Sequence, residues 1–217
     1  MQEDLEKYIL NHIDEEGAML QELNRDTHLF HLRPRMCSGH LQGRLLKMFV
    51  RMIKPRTILE LGTFTGYSAL CLAEGLPEKG SLHTIEIDDE LEDFIRQHFD
   101  KTDISEKIML HVGDAKELLP QIEERFDLVF IDANKRDYED YYNLVFDSVN
   151  EGGFIIADNT LWDGKVVEES SKIDAQTEGI KRFNELVARD KRVEKVIVPL
   201  RDGLTIIYKK PIEQDYR

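Results

Sequence analysis

The sequence predicts a doubly wound α/β fold: a mostly parallel seven-stranded sheet, a C-terminal antiparallel hairpin, and helices at the N-terminus. Three observations predict it. From Thr57 onward, short apolar runs alternate with amphipathic stretches of helical length. The runs are nearly continuous, which marks strands buried on both faces. The last two runs are joined by a stretch too short for a helix, and it holds Asp202–Gly203, a hairpin signal.

The elements follow in order. Residues 1–36 read as a helical extension, with Leu5, Tyr8, Ile9 and His12 on one stripe. Met19, Leu20 and Leu23 belong to a second helix that ends before Arg33–Pro34. A third helix follows Ser38. Its apolar face is Leu41, Leu45, Met48 and Met52, at spacings of four, three and four, and it is expected to pack on the sheet. Strands are expected at 57–61, 82–87, 108–112, 127–132, 153–158, 193–199 and 204–210. Helices are expected at 66–76, 89–99, 137–149 and near 176–189, with a short turn near 115–119. No repeat or flexible linker interrupts residues 1–217, which read as one domain.

Composition narrows the function. Hydrophobic residues make up 41% and charged residues 33%, values of a globular chain. The net charge of −14 repels a phosphate backbone, so nucleic acid is a disfavoured partner. No apolar run approaches the length of a membrane span, and the acidic N-terminus is no signal peptide. The two cysteines, Cys37 and Cys71, lie in helical patterns without metal-ligand spacing. They read as reduced core thiols of a cytoplasmic protein.

In a doubly wound sheet, ligands bind at the carboxyl ends of the strands. The first strand ends in Glu60–Leu61–Gly62–Thr63–Phe64–Thr65–Gly66–Tyr67–Ser68. Its glycines allow a tight turn and close approach of a ligand, and the next helix offers free N–H groups. Glu86, 20 residues after Gly66, is placed to accept from both ribose hydroxyls of a nucleoside. The turn lacks the middle glycine of G-x-G-x-x-G, which argues against a dinucleotide. The carboxylate of Glu60 suits a sulfonium or amino group better than a pyrophosphate. After strand three, Asp114 can accept from an adenine amino group and Ala115 can offer its backbone N–H. The same Gly113–Asp114–Ala115 is also an ordinary helix start.

A second set of residues points to a metal. Strand four ends at Asp132 and strand five at Asp158–Asn159. Carboxylates brought together on neighbouring strands resist joint ionisation, and a hard divalent cation resolves the conflict. Three oxygen ligands with open positions suit Mg²⁺, with Mn²⁺ or Ca²⁺ as alternatives. Lys135, three residues after Asp132, is a candidate general base. Trp162, the only tryptophan, either walls an aromatic substrate or packs under a loop.

The segments LELGTFTGYSAL, IEID, VGDA, FIDANK and ADNTLWDG together resemble the class I cation-dependent O-methyltransferases, the group of catechol and caffeoyl-CoA O-methyltransferases. The resemblance runs from about Met36 to Tyr208. It implies a Rossmann-like methyltransferase fold and S-adenosylmethionine as methyl donor. Glu60, Gly62, Thr63 and Ser68, with Ser38, would line the methionine and sulfonium end. Glu86 would hold the ribose, and Asp114 and Ala115 the adenine. Asp132, also beside the cofactor, would bind the metal with Asp158 and Asn159. Lys135 would match the lysine that takes the catechol proton.

Two positions depart from the plant caffeoyl pattern. Asn134 replaces an acidic residue, and Asp163 stands where a substrate-contacting Asn is expected. Both weigh against an acyl-CoA substrate, leaving a small catechol-like molecule touched by Lys135, Trp162 and Asp163. The resemblance also implies a homodimer through the N-terminal helices. The rival functions are a nicotinamide oxidoreductase, a methyltransferase of a hydroxylated tRNA base, and a non-catalytic dimerisation module.

Overall fold

The computed structural model describes residues 3–168 and 174–212. The helices are α1 (Glu3–Leu10), α2 (Ala18–Phe30), α3 (Gly39–Ile53), α4 (Tyr67–Gly75), α5 (Glu92–Phe99), α6 (Ala115–Leu118), α7 (Tyr138–Phe146) and α8 (Ala175–Arg189). The strands are β1 (Thr57–Leu61), β2 (Ser81–Glu86), β3 (Ile108–Val112), β4 (Phe126–Ile131), β5 (Val149–Asp158), β6 (Val193–Val198) and β7 (Leu204–Lys209). They form one mixed sheet in the order β3-β2-β1-β4-β5-β7-β6. The antiparallel pairs are β5 with β7 and β7 with β6, so the expected C-terminal hairpin is present.

The chain divides into two compact units. The first holds Met1–Arg56 and Gly62–Ala115. Here β2 and β3 pair in parallel, with Glu86 opposite Val112. Helices α3 and α4 pack closely. A Cβ on Gly43 would lie 2.7 Å from the Cys71 sulfur and 2.9 Å from the Tyr67 ring, so only a glycine lets α3 sit this near.

That close approach overturns one expectation. The face of α3 turned inward is Gln42, Gly43, Leu46 and Val50. Met48 and Met52, placed on the core side by apolar periodicity, are 46% and 62% exposed. Periodicity weighs only apolarity, whereas a helix seated against another is oriented by its smallest residue as well. Leu5 and Tyr8 on α1 are likewise exposed. Cys37 follows a short 3-10 turn, Pro34–Met36, and does not lie in a long helix. Both cysteines are free and buried, as expected.

The second unit holds Thr57–Leu61 and Lys116–Arg217. Its parallel strands β1, β4 and β5 are buried over Ile58–Leu61, Leu128–Ile131 and Ile155–Asp158. The register pairs Leu61 with Ile131, and Ile131 with Ala157, so Asp132 and Asp158 emerge side by side at the same end. Helices α7 and α8 cover this sheet with Tyr142, Val145, Ile180, Phe183 and Val187. The Asp174 carboxylate starts α8 by accepting from the N–H groups of Gln176 and Thr177, each at 3.0 Å. Strand β5 begins at Val149, four residues before the expected start, because the bend at Gly152 (φ 77°) still belongs to it. Among the described residues no helix is long and apolar enough to cross a membrane.

Candidate active site

In the first unit, the turn after β1 is fixed residue by residue. The N–H groups of Gly62 and Thr63 both donate to the Ile85 carbonyl, at 3.0 and 3.2 Å. Gly62 and Gly66 have φ of 97° and 93°, values that side-chain-bearing residues avoid. A Cβ on Gly66 would lie 2.5 Å from the Phe99 ring. Phe64 adopts φ 49° and donates its N–H to the Glu86 carboxylate at 2.6 Å. The Thr63 and Thr84 hydroxyls meet at 2.5 Å in the interior.

Glu86 also accepts from the Asp88 N–H at 3.0 Å. It is 7% exposed, and burial, opposed by these N–H donors, raises its pKa above the usual carboxylate range. The Gly113 N–H donates to the Glu86 carbonyl at 2.7 Å, which sets the start of α6 with Asp114 half-buried and Ala115 buried. Ser38 and Ser68, at the first turns of α3 and α4, are buried. The first unit thus brings together Gly62, Thr63 and Glu86, with Asp114 and Ala115 joined through the Glu86 backbone.

In the second unit, Asp132 follows β4 and donates its N–H to Leu61 at 2.9 Å. Lys135 is 9% exposed and sets its ammonium 2.5 Å from the Asp132 carboxylate. Asp158 is 3% exposed, and its carboxylate accepts the Asn159 N–H at 2.7 Å. Asn159 takes φ 57° and so turns the chain sharply out of β5. Glu60, on β1, is fully buried.

The Tyr138 hydroxyl ties the two strand ends, lying 3.2 Å from the Ile131 carbonyl and 2.9 Å from that of Asp158. Burial raises the Tyr138 pKa, and the negative charges of Asp132 and Asp158 add to the rise. Two carboxylates and an amide, all oxygen donors, fit a hard divalent cation. Trp162 and Asp163 continue the turn at φ 46° and 54°. The Trp162 indole N–H is buried without a hydrogen-bond partner among the described residues, and Asp163 is exposed.

Sequence reasoning missed two residues. Tyr138 was one of several tyrosines in an aromatic-rich stretch, with nothing to single it out. Gly179 did carry a signal, because glycine inside a helix costs about 1 kcal/mol relative to alanine and needs a reason. The reason is contact: a Cβ there would lie 2.3 Å from the Lys135 carbonyl and 2.7 Å from the Arg136 Cα.

Residues 11–210 match the family described as O-methyltransferase, and the chain belongs to that family. A catechol O-methyltransferase from Niastella koreensis is 33% identical over 163 residues, covering 73% of each chain. A caffeoyl-CoA O-methyltransferase from Stellaria longipes is 31% identical over 94% of this chain and 89% of its own. Among solved structures, the O-methyltransferase TomG from Streptomyces achromogenes, in complex with SAM, is similar with a TM-score of 0.90. It is 28% identical over 97% of this chain and all (100%) of that one. The Bacillus cereus O-methyltransferase in complex with SAH gives a TM-score of 0.89 at 29% identity, over 95% and 97% of the two chains.

The packing of Gly179 against the Lys135 turn gives a direct expectation. Gly179→Ala must push backbone against backbone, so it should lower the unfolding free energy by about 1–3 kcal/mol. Urea denaturation measures this, and an unchanged midpoint would mean that the 135–136 turn yields freely.

Proposed function

We propose that the protein transfers a methyl group from S-adenosylmethionine to one hydroxyl of a small vicinal dihydroxy aromatic held by a divalent cation, Mg²⁺ before Mn²⁺ or Ca²⁺. One observation carries the reading: Asp132 and Asp158–Asn159 stand at the ends of paired strands with buried Lys135 against Asp132, in a chain of the O-methyltransferase family.

The residues divide the work. Glu86 holds the ribose. Its two oxygens take the Phe64 and Asp88 N–H groups, and the carboxylate keeps acceptor capacity for a ribose hydroxyl. Gly62, Thr63, Ser68, Ser38 and Glu60 hold the methionine end, Glu60 facing the positive charge of a sulfonium. Asp114 and the Ala115 N–H hold adenine.

Asp132, Asp158 and Asn159 hold the cation, with Asp132 also on the cofactor side. When bound, it supplies Lewis-acid polarisation of the two phenolic oxygens. Lys135 Nζ stabilises the phenolate as an ammonium, or, as the neutral amine, takes the phenolic proton. Trp162 walls the aromatic ring, its buried N–H free to donate to a substrate oxygen, with Asp163 at the rim. Such positioning contributes about 7–11 kcal/mol to lowering a barrier in favourable cases.

We also propose a homodimer in the cytoplasm, joined through residues 1–36 and α3. In support, Leu5 and Tyr8 are 50% and 60% exposed beside the exposed Met48 and Met52. The two buried free thiols fit a reducing compartment. Sedimentation equilibrium of Met52→Glu should show a monomer; an unchanged dimer would place the interface elsewhere.

The central test is a methyl-transfer screen over catechols, caffeoyl esters and flavonoids, with and without EDTA. Activity is expected on catechols and is expected to vanish with EDTA. Asp158→Ala should lose at least about a hundredfold in rate, the scale set by a lost site ligand, while calorimetry shows cofactor affinity nearly intact. Normal catechol methylation by that variant in EDTA would remove the metal from the reading.

The raised Glu86 pKa adds a pH dependence. The carboxylate accepts hydroxyls and its protonated form does so poorly. Affinity for S-adenosylhomocysteine is therefore expected to fall on acidification at a pH above the usual glutamate range. Glu86→Ala should abolish this dependence and weaken binding; calorimetry with unchanged affinity would sink the ribose assignment.

A further inference from the structure

We propose that α2, outside the sheet, belongs to the donor-binding machinery: Thr27, acting through Thr65, is a positioning residue that fixes the 62–66 turn for the nucleoside sulfonium donor. This rests on the assignment of that turn to the cofactor.

The argument starts with one hydroxyl. Thr27 is fully buried, and its hydroxyl lies 2.8 Å from the Leu23 carbonyl one helical turn back. The same hydroxyl donates to the Thr65 hydroxyl at 3.0 Å, in a side chain 1% exposed. Its single hydrogen is shared between these two acceptors. The Thr65 rotamer is thus tied to a helix 38 positions away in sequence.

The turn needs such help. It combines two left-handed glycines with a left-handed Phe64, a conformation that persists only when its surroundings hold it. Thr84 holds Thr63, Glu86 holds the Phe64 N–H, and Phe99 closes on Gly66. Without α2, Thr65 and the Phe64 ring would lack these contacts. The His31 ring, just past the end of α2, stands edge-on to Phe64 at 5.9 Å and to Phe94 at 4.4 Å.

Helix α2 is in turn stapled in place. Asp26 meets buried His98 at 3.3 Å, and Glu22 meets Lys101 at 2.7 Å, so both anchors lie on or just past α5. The Tyr67 hydroxyl donates to Glu16, which pins the segment leading into α2 to α4. A helix held at three places and bonded to the turn transmits its own position to the turn.

The test is calorimetric titration of S-adenosylhomocysteine into the full chain, with melting temperature recorded for each variant. Thr27→Val keeps the shape and removes the hydroxyl. It is expected to raise Kd about three- to tenfold, the range one buried hydrogen bond supports. Thr27→Ser restores the hydroxyl and should bind within about twofold of wild type. Thr65→Val approaches the bond from the other side and should match Thr27→Val, and the double variant should be no worse than either single.

Leu20→Val, buried on the same helix away from the turn, lowers stability without touching the bond and should leave Kd unchanged. The proposal is overturned if Thr27→Val binds as wild type does, or if Leu20→Val weakens binding equally for the same loss of melting temperature. Failure of the cofactor assignment is distinguishable, since then wild type itself would show no binding.

Discussion

A strand covered on both faces has no place for a charge except at its ends, and this constraint organises the molecule. Strands β4 and β5 run through Leu128–Ile131 and Ile155–Ala157 without a polar side chain in the buried stretch. The first opportunity for a carboxylate is therefore Asp132 and Asp158, and parallel register delivers them side by side. Strand β2 ends in Glu86 on the same principle. Glu60 is the exception, a fully buried acid in the body of β1.

Placing acids at strand ends creates a second problem, and the chain answers it locally each time. Glu86 is met by two backbone N–H groups, Asp158 by the N–H of its own successor, and Asp132 by the ammonium of Lys135. None of these answers is an exposed surface ion pair of the kind that contributes little. Each uses a group that the turn itself provides, so the electrostatics and the backbone path are solved together. The lysine differs from the others in being a side chain, and it meets Asp132 from a buried position.

Much of this was legible in the sequence because strand ends are legible. Apolar runs of five or six residues located β1 to β4, β6 and β7 to within a residue, and the residues just past them named the acids. What could not be read was orientation. The α3 stripe of Leu41, Leu45, Met48 and Met52 is truly periodic, yet Gly43 and the neighbouring α4 turn the helix so that Leu46 and Val50 face inward instead. Periodicity says that a helix has an apolar side; only the partner's shape says which side is used. The supports of the site were hidden for the same reason. Tyr138 links two strand ends through backbone carbonyls, which have no sequence signature at all.

The turns show the limit most sharply. Six described residues other than glycine have left-handed φ, and four of them, Phe64, Asn159, Trp162 and Asp163, lie in the turns after β1 and β5. A glycine at those places would have announced the conformation and removed the strain. The chain instead carries side chains there at a cost of order 1 kcal/mol or more each, so the side chains must contribute what a glycine cannot. For Phe64 the gain is visible: its ring is gripped by His31 while its N–H aims at Glu86. For Trp162 it is a buried N–H without a hydrogen-bond partner among the described residues. Lys54 and Arg201 share the left-handed conformation elsewhere, so the strain is concentrated in the turns after β1 and β5 and not exclusive to them.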